Sequence, residues 1–580
     1  MTSFALLLVP AAPLLAALVA AVVPAHRAVA AAVGAVPAIV IALIAPDRSI
    51  EVPWLLLGAE LGTDDVRRPI LLLAGVLWLL AAVYARTYHR HDPRSRSLFV
   101  FFNLTMAGNV GLIVAFDAVT FYLFFILMNL AAYGMIRHVG NAEAGRAGRV
   151  YITLVIIGEA FILPALWLGA SGAESLALAD VRAAIAEHPS RGMIAGLLFL
   201  GFGIKAGALP LHVWLPLAHP VAPTPASAVL SGSMIKAGLL AWLVFLPLAE
   251  ASLPAWGLAW IILGLAAALF GAAVGIVQDR PKVILAYSSI SQMGLMTVAV
   301  GLALAAPAAL PQAASAAILA AVLYAVHHGF AKGALFLGTG VADHAGGSAR
   351  RWALVLMALP ALALAGLPPT TGLAAKTALK QAAEVAAPAW LPWLEPLLAV
   401  AAVGTTLVMA RFLVAVARHA PTADHAGGGL WFPWSVAIAT AMLLAWLPVA
   451  APGQLIPAAL TPAALISATW PVAVGAALAV IVLRMCRRRT VALPFRVPPG
   501  DILALEEPVI RRLVSAGRAP LRRLSVVDRS MDVAAHFLLV RARAMEVSVG
   551  RLEKRMTAWP IIVGAFGALL LTIAIFTHFG

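Results

Sequence analysis

Five lysines lie inside long apolar stretches of this chain of 580 residues. They are Lys205, Lys236, Lys332, Lys376 and Lys380. A charge at membrane depth costs about 3 kcal/mol or more on insertion scales, so such residues are usually functional. A buried lysine, unlike arginine, can lose its proton, so a row of lysines could pass protons or respond to a neighbouring charge. The alternative for Lys205 and Lys236 is a side chain that reaches out to the membrane surface.

Two interrupted helices accompany these lysines. Pro210 and Pro216 follow Lys205, and each removes a backbone donor and clashes one turn back, so we expect both to interrupt the helix. A second interruption, Gly366-Leu367-Pro368-Pro369, precedes Lys376. Irregular backbone within a membrane is tolerated along a buried polar pathway, and corresponding broken helices in two halves of a chain point to an inverted-repeat transporter.

Other polar residues within apolar stretches are candidates for the same pathway. Glu159 lies deep in its helix, where an unpaired carboxylate would take up a proton or find a cation. Asp117 stands at the head of a helix and could simply cap it. His327 and His328 precede Lys332, and the spacing of four places His328 and Lys332 on one helix face. Histidine could relay a proton near neutrality, the alternative being a hydrogen-bonded core histidine, and the group has too few partners for a metal site.

The composition is that of an integral membrane protein, with 63% hydrophobic and 11% charged residues. Apolar stretches of about 20 residues predict sixteen membrane helices. They lie at residues 4–24, 28–46, 69–87, 97–116, 117–136, 149–170, 192–211, 224–248, 255–277, 282–305, 312–340, 352–382, 395–417, 430–450, 466–484 and 559–577. The first has no basic region before it, so we expect a retained span. The single cysteine, Cys486, excludes an internal disulfide and a cysteine metal cluster.

The charges of the connecting loops set the expected topology. With the N-terminus outside, basic residues gather in the inner loops and acids in the outer loops, as the positive-inside rule requires. The inner basic residues are Arg27, Arg86, Arg90, Arg94, Arg96, Arg137, Arg146, Arg149, Arg280, Lys282, Arg350, Arg351 and Arg418. The outer acids are Asp47, Glu51, Glu60, Asp64, Asp65, Glu174, Asp180, Glu187, Glu250, Glu384 and Glu395. A miscounted helix would break this alternation.

Residues 484–556 form a strongly basic segment, with sixteen basic and seven acidic residues. The arginines of residues 484–489 mark a cytoplasmic membrane edge. From Leu521 to Met556 arginines alternate with apolar residues, so we expect an amphipathic helix of about 54 Å along the inner surface. Basic runs can bind nucleic acid, but the flanking spans favour lipid headgroups or a partner subunit.

Four motifs resemble those of one family. They are GFGIKAGALPLHVWLPLAHPVAPTPASAVLSGSMIKAG at residues 201–238, RPKVILAYSSISQMG, HHGFAKGALFLG and AGLPPTTGLAAKTAL. Together they are similar to the antiporter-like membrane subunits of respiratory complex I, membrane-bound hydrogenases and Mrp cation/proton antiporters. The first motif is most similar to that of hydrogenase-4 component B. The resemblance covers about residues 97–417, and it implies fourteen core helices, a long lateral helix and a final span.

The resemblance also implies roles for the buried lysines. Lys205 would be the central lysine of the first half-channel, and Lys236 would be the next lysine along. Lys332, beside His328, would bridge the two halves, and Lys376 would be the terminal lysine that exchanges with the outside. In this family, signals from a partner subunit drive proton transfer along such an axis at the membrane midplane.

The chain departs from the family pattern at three positions. Ile126 replaces a glutamate of the fifth helix that partners the first lysine, Tyr324 replaces a histidine, and Leu217 replaces the acid of the proline loop. Glu159 matches a position where a relative has aspartate, so we expect it to supply the lost charge near Lys205 or Lys236. The alternative is a modified role, such as a one-sided proton path.

We therefore expect an all-α polytopic membrane protein of about sixteen helices, built from inverted five-helix repeats with two broken helices. The expected boundaries are 1–96 for the N-terminal helices, 97–250 and 251–417 for the two repeats, 418–490 for peripheral helices, 491–556 for the amphipathic segment and 557–580 for the final span.

Three functions fit these features. The first is a proton-translocating subunit of a complex I-like or hydrogenase-like complex, and the second is a subunit of a cation/proton antiporter. The third is the membrane half of an inorganic-carbon uptake complex paired with a carbonic-anhydrase-like protein. We expect no flavin, iron–sulfur cluster, metal or other cofactor in this chain. The expected partners are other membrane subunits, a peripheral cytoplasmic redox or zinc-enzyme subunit and lipids, with no nucleic acid, in a bacterial inner membrane.

Overall fold

Long helices run through most of the chain that the computed structural model describes, which is residues 2–56, 58–420, 428–443, 459–488, 497–501 and 503. Runs of alanine, leucine, valine and isoleucine form helices here because backbone polar groups in lipid must bond within their own segment. The helices are α1 (Thr2–Val22), α2 (Arg27–Ile44), α3 (Arg67–Tyr88), α4 (Ser95–Val114), α5 (Ala118–Ile136), α6 (Ala142–Ala170), α7 (Leu178–Glu187), α8 (Arg191–Ala206), α9 (Trp214–Val221), α10 (Thr224–Val229), α11 (Lys236–Phe245), α12 (Pro254–Ile276), α13 (Pro281–Ala305), α14 (Pro311–His344), α15 (Gly347–Ala365), α16 (Thr371–Ala386), α17 (Leu391–Arg418), α18 (Gly428–Leu443) and α19 (Pro462–Arg488). A π-helical turn, Leu230–Met234, joins α10 to α11.

The observed helices agree with the predicted all-α membrane fold. Within the described residues, thirteen helical segments are long and apolar enough to cross a membrane. Each overlaps a predicted span, and the predicted spans at 192–211 and 430–450 correspond to the shorter helices α8 and α18. The predicted helix at 352–382 is divided into α15 and α16.

The helices named above all belong to one compact unit, Met1–Pro53 with Gly58–Val497. The predicted amphipathic helix at 521–556 and the predicted final span at 559–577 lie outside the described residues.

The connection between α2 and α3 is a β-hairpin that the sequence analysis did not predict. Strands β1 (Arg48–Val52) and β2 (Ala59–Thr63) pair in antiparallel register. The backbone N–H of Phe116 donates to Glu60 O at 2.8 Å, and the N–H of Glu60 donates to Asp117 Oδ2 at 2.8 Å. Asp117 also caps α5 by accepting from Thr120 N at 2.7 Å. The hairpin is therefore anchored on the start of α5.

The two interrupted helices break in the same way. α8 ends at Gly207 with φ of 68° and α15 ends at Gly366 with φ of 91°, a left-handed conformation that glycine adopts without strain. A proline follows each glycine after two residues, at Pro210 and Pro369. Pro216, which we expected to interrupt the helix, instead lies in the first turn of α9, where its missing N–H leaves no intrahelical bond unmade.

A close backbone contact holds the centre of the protein together. Residues Thr224–Phe245 are all buried, and so is helix α13 from Val283 to Ala305. The π-helical turn approaches α14 so closely that a methyl group on Gly329 would lie 2.6 Å from the carbonyl oxygen of Gly232. Small residues allow such close approach between membrane helices. This contact places Lys236, at the start of α11, against α14.

Ion pairs between loops join residues that the charge alternation places on one side of the membrane. Arg182 and Glu250, both in predicted outer loops, are 2.6 Å apart. Arg280 and Glu143, both in predicted inner loops, also form an ion pair. The contacts between loops are thus compatible with the predicted order of inner and outer connections.

Candidate functional site

Lys205 lies at the end of α8, just before the helix breaks, and is only 3% exposed. Its ammonium group donates to the hydroxyl of Tyr151 at 3.2 Å. The same group lies over the rings of Tyr151 and Trp214, 5.4 and 5.5 Å from their centroids. Aromatic faces attract a cation without supplying a formal negative charge. In the described part of the chain, Lys205 has no ion-pair partner.

Glu159 shares a narrow cleft with Lys205. The cleft lies between α5, α6 and α8, and Tyr151 and Asn129 also line it. The hydroxyl of Tyr122 donates to the Glu159 carboxylate. The other carboxylate oxygen, Oε2, is buried and has no hydrogen-bond partner within the described residues. The structure therefore brings a half-satisfied carboxylate into the cleft of the first buried lysine.

Lys236 is fully buried and in direct contact with His328. Its Nζ lies 2.7 Å from His328 Nδ1 and donates to the carbonyl oxygen of Ser231 at 2.8 Å. Ser231 belongs to the π-helical turn, and such turns often occur at functional sites. A protonated Lys236 donates to Nδ1, which requires that His328 carry its own proton on Nε2. The two groups can therefore exchange a proton directly.

Buried polar groups connect the surroundings of Lys236 with those of Lys332. Lys332 Nζ donates to the carbonyl oxygen of Leu285 at 2.7 Å. The Ser289 hydroxyl donates to the same carbonyl at 3.0 Å and lies 2.8 Å from the Ser231 hydroxyl. Ser231 also supplies the carbonyl that holds Lys236, so two serines and two backbone carbonyl oxygens lie between the two ammonium groups, joined within Ser231 by its own covalent bonds.

His219 and Lys282 extend the polar path beyond Lys332. His219 is fully buried in α9 and stacks on Phe336 at 4.6 Å between ring centroids. Both of its ring nitrogens lack a hydrogen-bond partner among the described residues, and Lys332 and Lys282 are its charged neighbours. Lys282 donates to Ala222 O at 2.9 Å. An imidazole whose two nitrogens have no hydrogen-bond partner among the described residues, and which has two lysines as neighbours, is suited to accepting a proton from one and donating it to the other.

His327 points toward the second broken helix. Its Nδ1 lies 2.7 Å from Thr371 Oγ1, and that hydroxyl donates to Ala441 O at 2.7 Å. The imidazole therefore donates to Thr371, and Lys236 and Lys376 are its charged neighbours. Lys376 donates to the carbonyl oxygen of Ala365, the last residue of α15. The turn that contains Pro368 and Pro369 thus exposes the carbonyl that holds the last lysine of the row.

The structure separates the predicted site residues into three groups. Lys236, His328 and Lys332 form one buried group, with His327 and the partly buried Lys376 as its neighbours toward the second broken helix, and Lys205 and Glu159 share a second cleft. Asp117 belongs to neither, because both of its carboxylate oxygens accept backbone N–H groups at the start of α5.

Several residues of this network were not singled out from the sequence. Ser231, Ser289 and Tyr151 carry no local pattern, since their value depends on which helices meet. His219 and Lys282 did give a signal, because a histidine between prolines in an apolar stretch and one of only seven lysines are both rare in this chain. Tyr324, found where family members often have histidine, donates to Gln292 at 3.0 Å beside the network.

Comparison with known proteins identifies a domain in the middle of the chain. Residues 115–395 match the family model described as NADH:quinone oxidoreductase/Mrp antiporter, transmembrane. Hydrogenase-4 component B of Escherichia coli is 27% identical over 326 residues, which cover 53% of this chain and 48% of that protein. Subunit L of the NADH-quinone oxidoreductase of Mycobacterium tuberculosis is 32% identical over 330 residues, which cover 54% of this chain and 50% of that protein. The chain thus spans about half the length of these curated relatives.

A solved structure shares the fold. A chain in the structure of the Mrp complex from Dietzia sp. DQ12-45-1b superposes with a TM-score of 0.73 at 24% sequence identity, covering 94% of this chain and 63% of that chain. The region that matches the family model contains the whole lysine row, from Lys205 to Lys376. Residues 115–395 of this multi-pass membrane protein therefore form a domain of the type described as NADH:quinone oxidoreductase/Mrp antiporter, transmembrane.

Proposed function

We propose that this chain translocates protons through the membrane as one subunit of a complex I-like or hydrogenase-like assembly. In this proposal protons move along Lys205, Lys236, Lys332 and Lys376, and partner subunits drive the movement. The observation that carries the proposal is the buried polar connection between Lys236 and Lys332 through Ser231, Ser289 and Leu285 O, inside the region that matches the family model.

The way the lysines are held supports proton transfer. Lys236 and Lys332 donate to the carbonyl oxygens of Ser231 and Leu285, and Lys376 donates to the last carbonyl of α15. A carbonyl dipole stabilises an ammonium group but supplies no full negative charge. Since none of the three has an ion-pair partner within the described residues, no fixed counter-charge holds the proton in place.

Repulsion between neighbouring lysines supplies a means of control. Lys236 and Lys332 are electrostatic neighbours in a region without water-exposed atoms. Like charges repel strongly where the effective dielectric constant is low, so a proton that reaches Lys332 disfavours a proton on Lys236. His328 Nδ1, at 2.7 Å, is placed to accept the proton that leaves. A change in the charge of Lys332 can thus change the protonation of Lys236 and, through it, of His328.

Glu159 serves in this proposal as the carboxylate of the first half. It shares a cleft with Lys205 and bonds to Tyr122, which lies one helical turn from Ile126 on α5. We expect Glu159→Gln to slow proton transport roughly tenfold, or about 1.4 kcal/mol in the barrier. Adding Ile126→Glu should restore part of the rate, measured as proton uptake by membrane vesicles.

The exposed Glu174, in the connection after α6, provides the matched control for this pair. Glu174→Gln should transport at the wild-type rate. Transport by Glu159→Gln at the wild-type rate would show that the carboxylate lies outside the pathway. If adding Ile126→Glu restored no activity, Glu159 would not be a replacement for the glutamate that relatives have at position 126.

The charges of the loops suggest the orientation. We place the arginine-rich loops, such as the one that holds Arg280, on the cytoplasmic side of a bacterial inner membrane, with the N-terminus outside. The expected partners are other membrane subunits and a peripheral cytoplasmic subunit that supplies the driving reaction.

Proton movement by the purified assembly tests the proposed function. The complex that co-purifies with this chain is placed in lipid vesicles that contain a pH-sensitive dye. We expect the internal pH to change when the partner reaction starts, to collapse with a protonophore, and to be unaffected when sodium is replaced by potassium. A pH change that appears only when a sodium gradient is imposed would instead identify a cation/proton antiporter, and no pH change under either condition would contradict transport.

A further inference from the structure

Two histidines and an aspartate converge outside the membrane-spanning helices. His89 and Asp92 lie in the connection between α3 and α4, and His138 lies just after α5. Asp92 Oδ2 is 2.7 Å from His89 Nδ1 and 2.6 Å from His138 Nε2. The three ligand atoms all lie within 4.8 Å of one another. The imidazole rings are almost perpendicular, at 89°, so they approach the carboxylate from different directions.

We propose that His89, Asp92 and His138 form a binding site for a divalent transition-metal ion of the Zn²⁺ or Co²⁺ type. Imidazole nitrogens and a carboxylate oxygen are ligands that such ions accept, and three protein ligands leave a fourth position for water or for a side chain of a partner. Tetrahedral bonds of about 2.0–2.1 Å place neighbouring donor atoms about 3.3 Å apart. Small rotations of the three side chains therefore make room for the ion.

The three ligands are held in place by the backbone around them. The N–H of Arg94 donates to the second carboxylate oxygen of Asp92 at 2.9 Å. The Ser95 hydroxyl donates to the Asp92 carbonyl at 2.6 Å, and Arg94 Nη1 donates to the carbonyl of His138 at 3.2 Å. Such bonds orient the ligands before an ion arrives, which reduces the cost of ordering them.

The hydrogen bonds of the cluster set the proton positions that an ion must change. His89 Nδ1 and His138 Nε2 both lie within hydrogen-bond distance of Asp92 Oδ2, a carboxylate oxygen that accepts from each. Binding requires each imidazole to move its proton to the other ring nitrogen. His89 Nε2 has no hydrogen-bond partner within the described residues and is free to carry that proton.

Arg94 acts against the ion. Its guanidinium group donates to the carbonyls of His138 and Val139, and its charge acts on the His138 ring. The Asp92 carboxylate offsets one positive charge of a divalent ion, so the affinity should be moderate. A bound ion would tie the α3–α4 connection to the end of α5, apart from the buried lysine row.

Metal binding to the purified protein tests this site. The protein, without a polyhistidine tag, is stripped with a chelator and titrated with Co²⁺, whose visible absorption reports a site of low coordination number, and Zn²⁺ is counted by mass spectrometry. We expect one ion per chain, and His138→Gln should bind it at least about tenfold more weakly. His188→Gln, in the separate connection between α7 and α8, is the matched control and should bind as the wild type does.

Asp92→Asn provides a second variant, because it preserves the shape of the side chain while removing its charge. It should weaken Co²⁺ binding as His138→Gln does, and a far-ultraviolet circular dichroism spectrum equal to that of the wild type without metal shows that the fold is retained. The proposal is overturned if the wild-type protein binds no ion at micromolar Co²⁺ or Zn²⁺, or if both variants bind with the wild-type affinity and spectrum.

Discussion

Lys236→Ala should stop partner-driven proton transport while leaving the protein inserted and assembled. Lys236 is the buried group that contacts His328 on one side and the serine bridge to Lys332 on the other. Alanine has no proton to exchange, so the row is divided at its centre. Removal of a positioned proton donor or acceptor typically slows a proton transfer by about 100-fold or more. The rate is measured as the initial pH change in vesicles that contain the assembled complex.

Lys236→Arg distinguishes a proton carrier from a structural charge. Arginine keeps a positive charge near His328 but does not release its proton in a protein. We therefore expect transport to be lost in this variant as well, with normal assembly on a native gel. Transport by Lys236→Arg near the wild-type rate would mean that the position needs only a fixed charge.

Gly329→Ala should destabilise the protein, although alanine favours helices more than glycine does. The added methyl group would lie 2.6 Å from Gly232 O and 2.6 Å from a side-chain carbon of Leu73. Because the first of these is a backbone atom, α14 and the π-helical turn must move apart. Such overpacking costs about 1–3 kcal/mol, which exceeds the gain of about 1 kcal/mol in helix propensity. The melting temperature of the purified protein in detergent measures the loss.

Gly145 in α6 provides a control, because alanine at this position should not lower the melting temperature. A methyl group there meets only Arg149 Nη1, at 3.5 Å, which is an ordinary contact. Gly145→Ala should therefore leave the melting temperature unchanged or raise it, because only the helix propensity changes. Equal melting temperatures for Gly329→Ala and the wild type would show that the close contact with Gly232 does not hold the lysine network in place.

The membrane helices and the broken helices could be predicted because their signals are local. A run of apolar residues indicates a span wherever it occurs, and Gly366-Leu367-Pro368-Pro369 interrupts a helix whatever surrounds it. The same reasoning was wrong for Pro216. A proline is compatible with the first turn of a helix, and Pro216 lies there because the interruption already ends before Trp214. The sequence does not show where the next helix begins, so it could not tell a proline that breaks a helix from one that starts a helix.

The contacts that join the network could not be predicted because they depend on how helices meet. Ser231 and Ser289 are ordinary serines in the sequence, and only the packing of the π-helical turn against α13 brings their hydroxyls to 2.8 Å. His138 and Asp92 are separated by 46 residues, so no metal-binding spacing links them in the sequence. Asp117 shows the opposite case, because its position before a helix already suggested the cap that the structure contains.

Proton flux per assembled complex, compared between Lys236→Ala and Lys380→Ala in the same vesicles, tests the central claim most directly. Lys380 lies in α16, four residues after Lys376, but its side chain is 35% exposed and pairs with Glu395 at 2.5 Å. Both variants remove one lysine, so the comparison isolates the buried row. The account predicts that Lys236→Ala loses transport and that Lys380→Ala retains it. Equal flux in the two variants, whether both transport or neither does, would contradict the account.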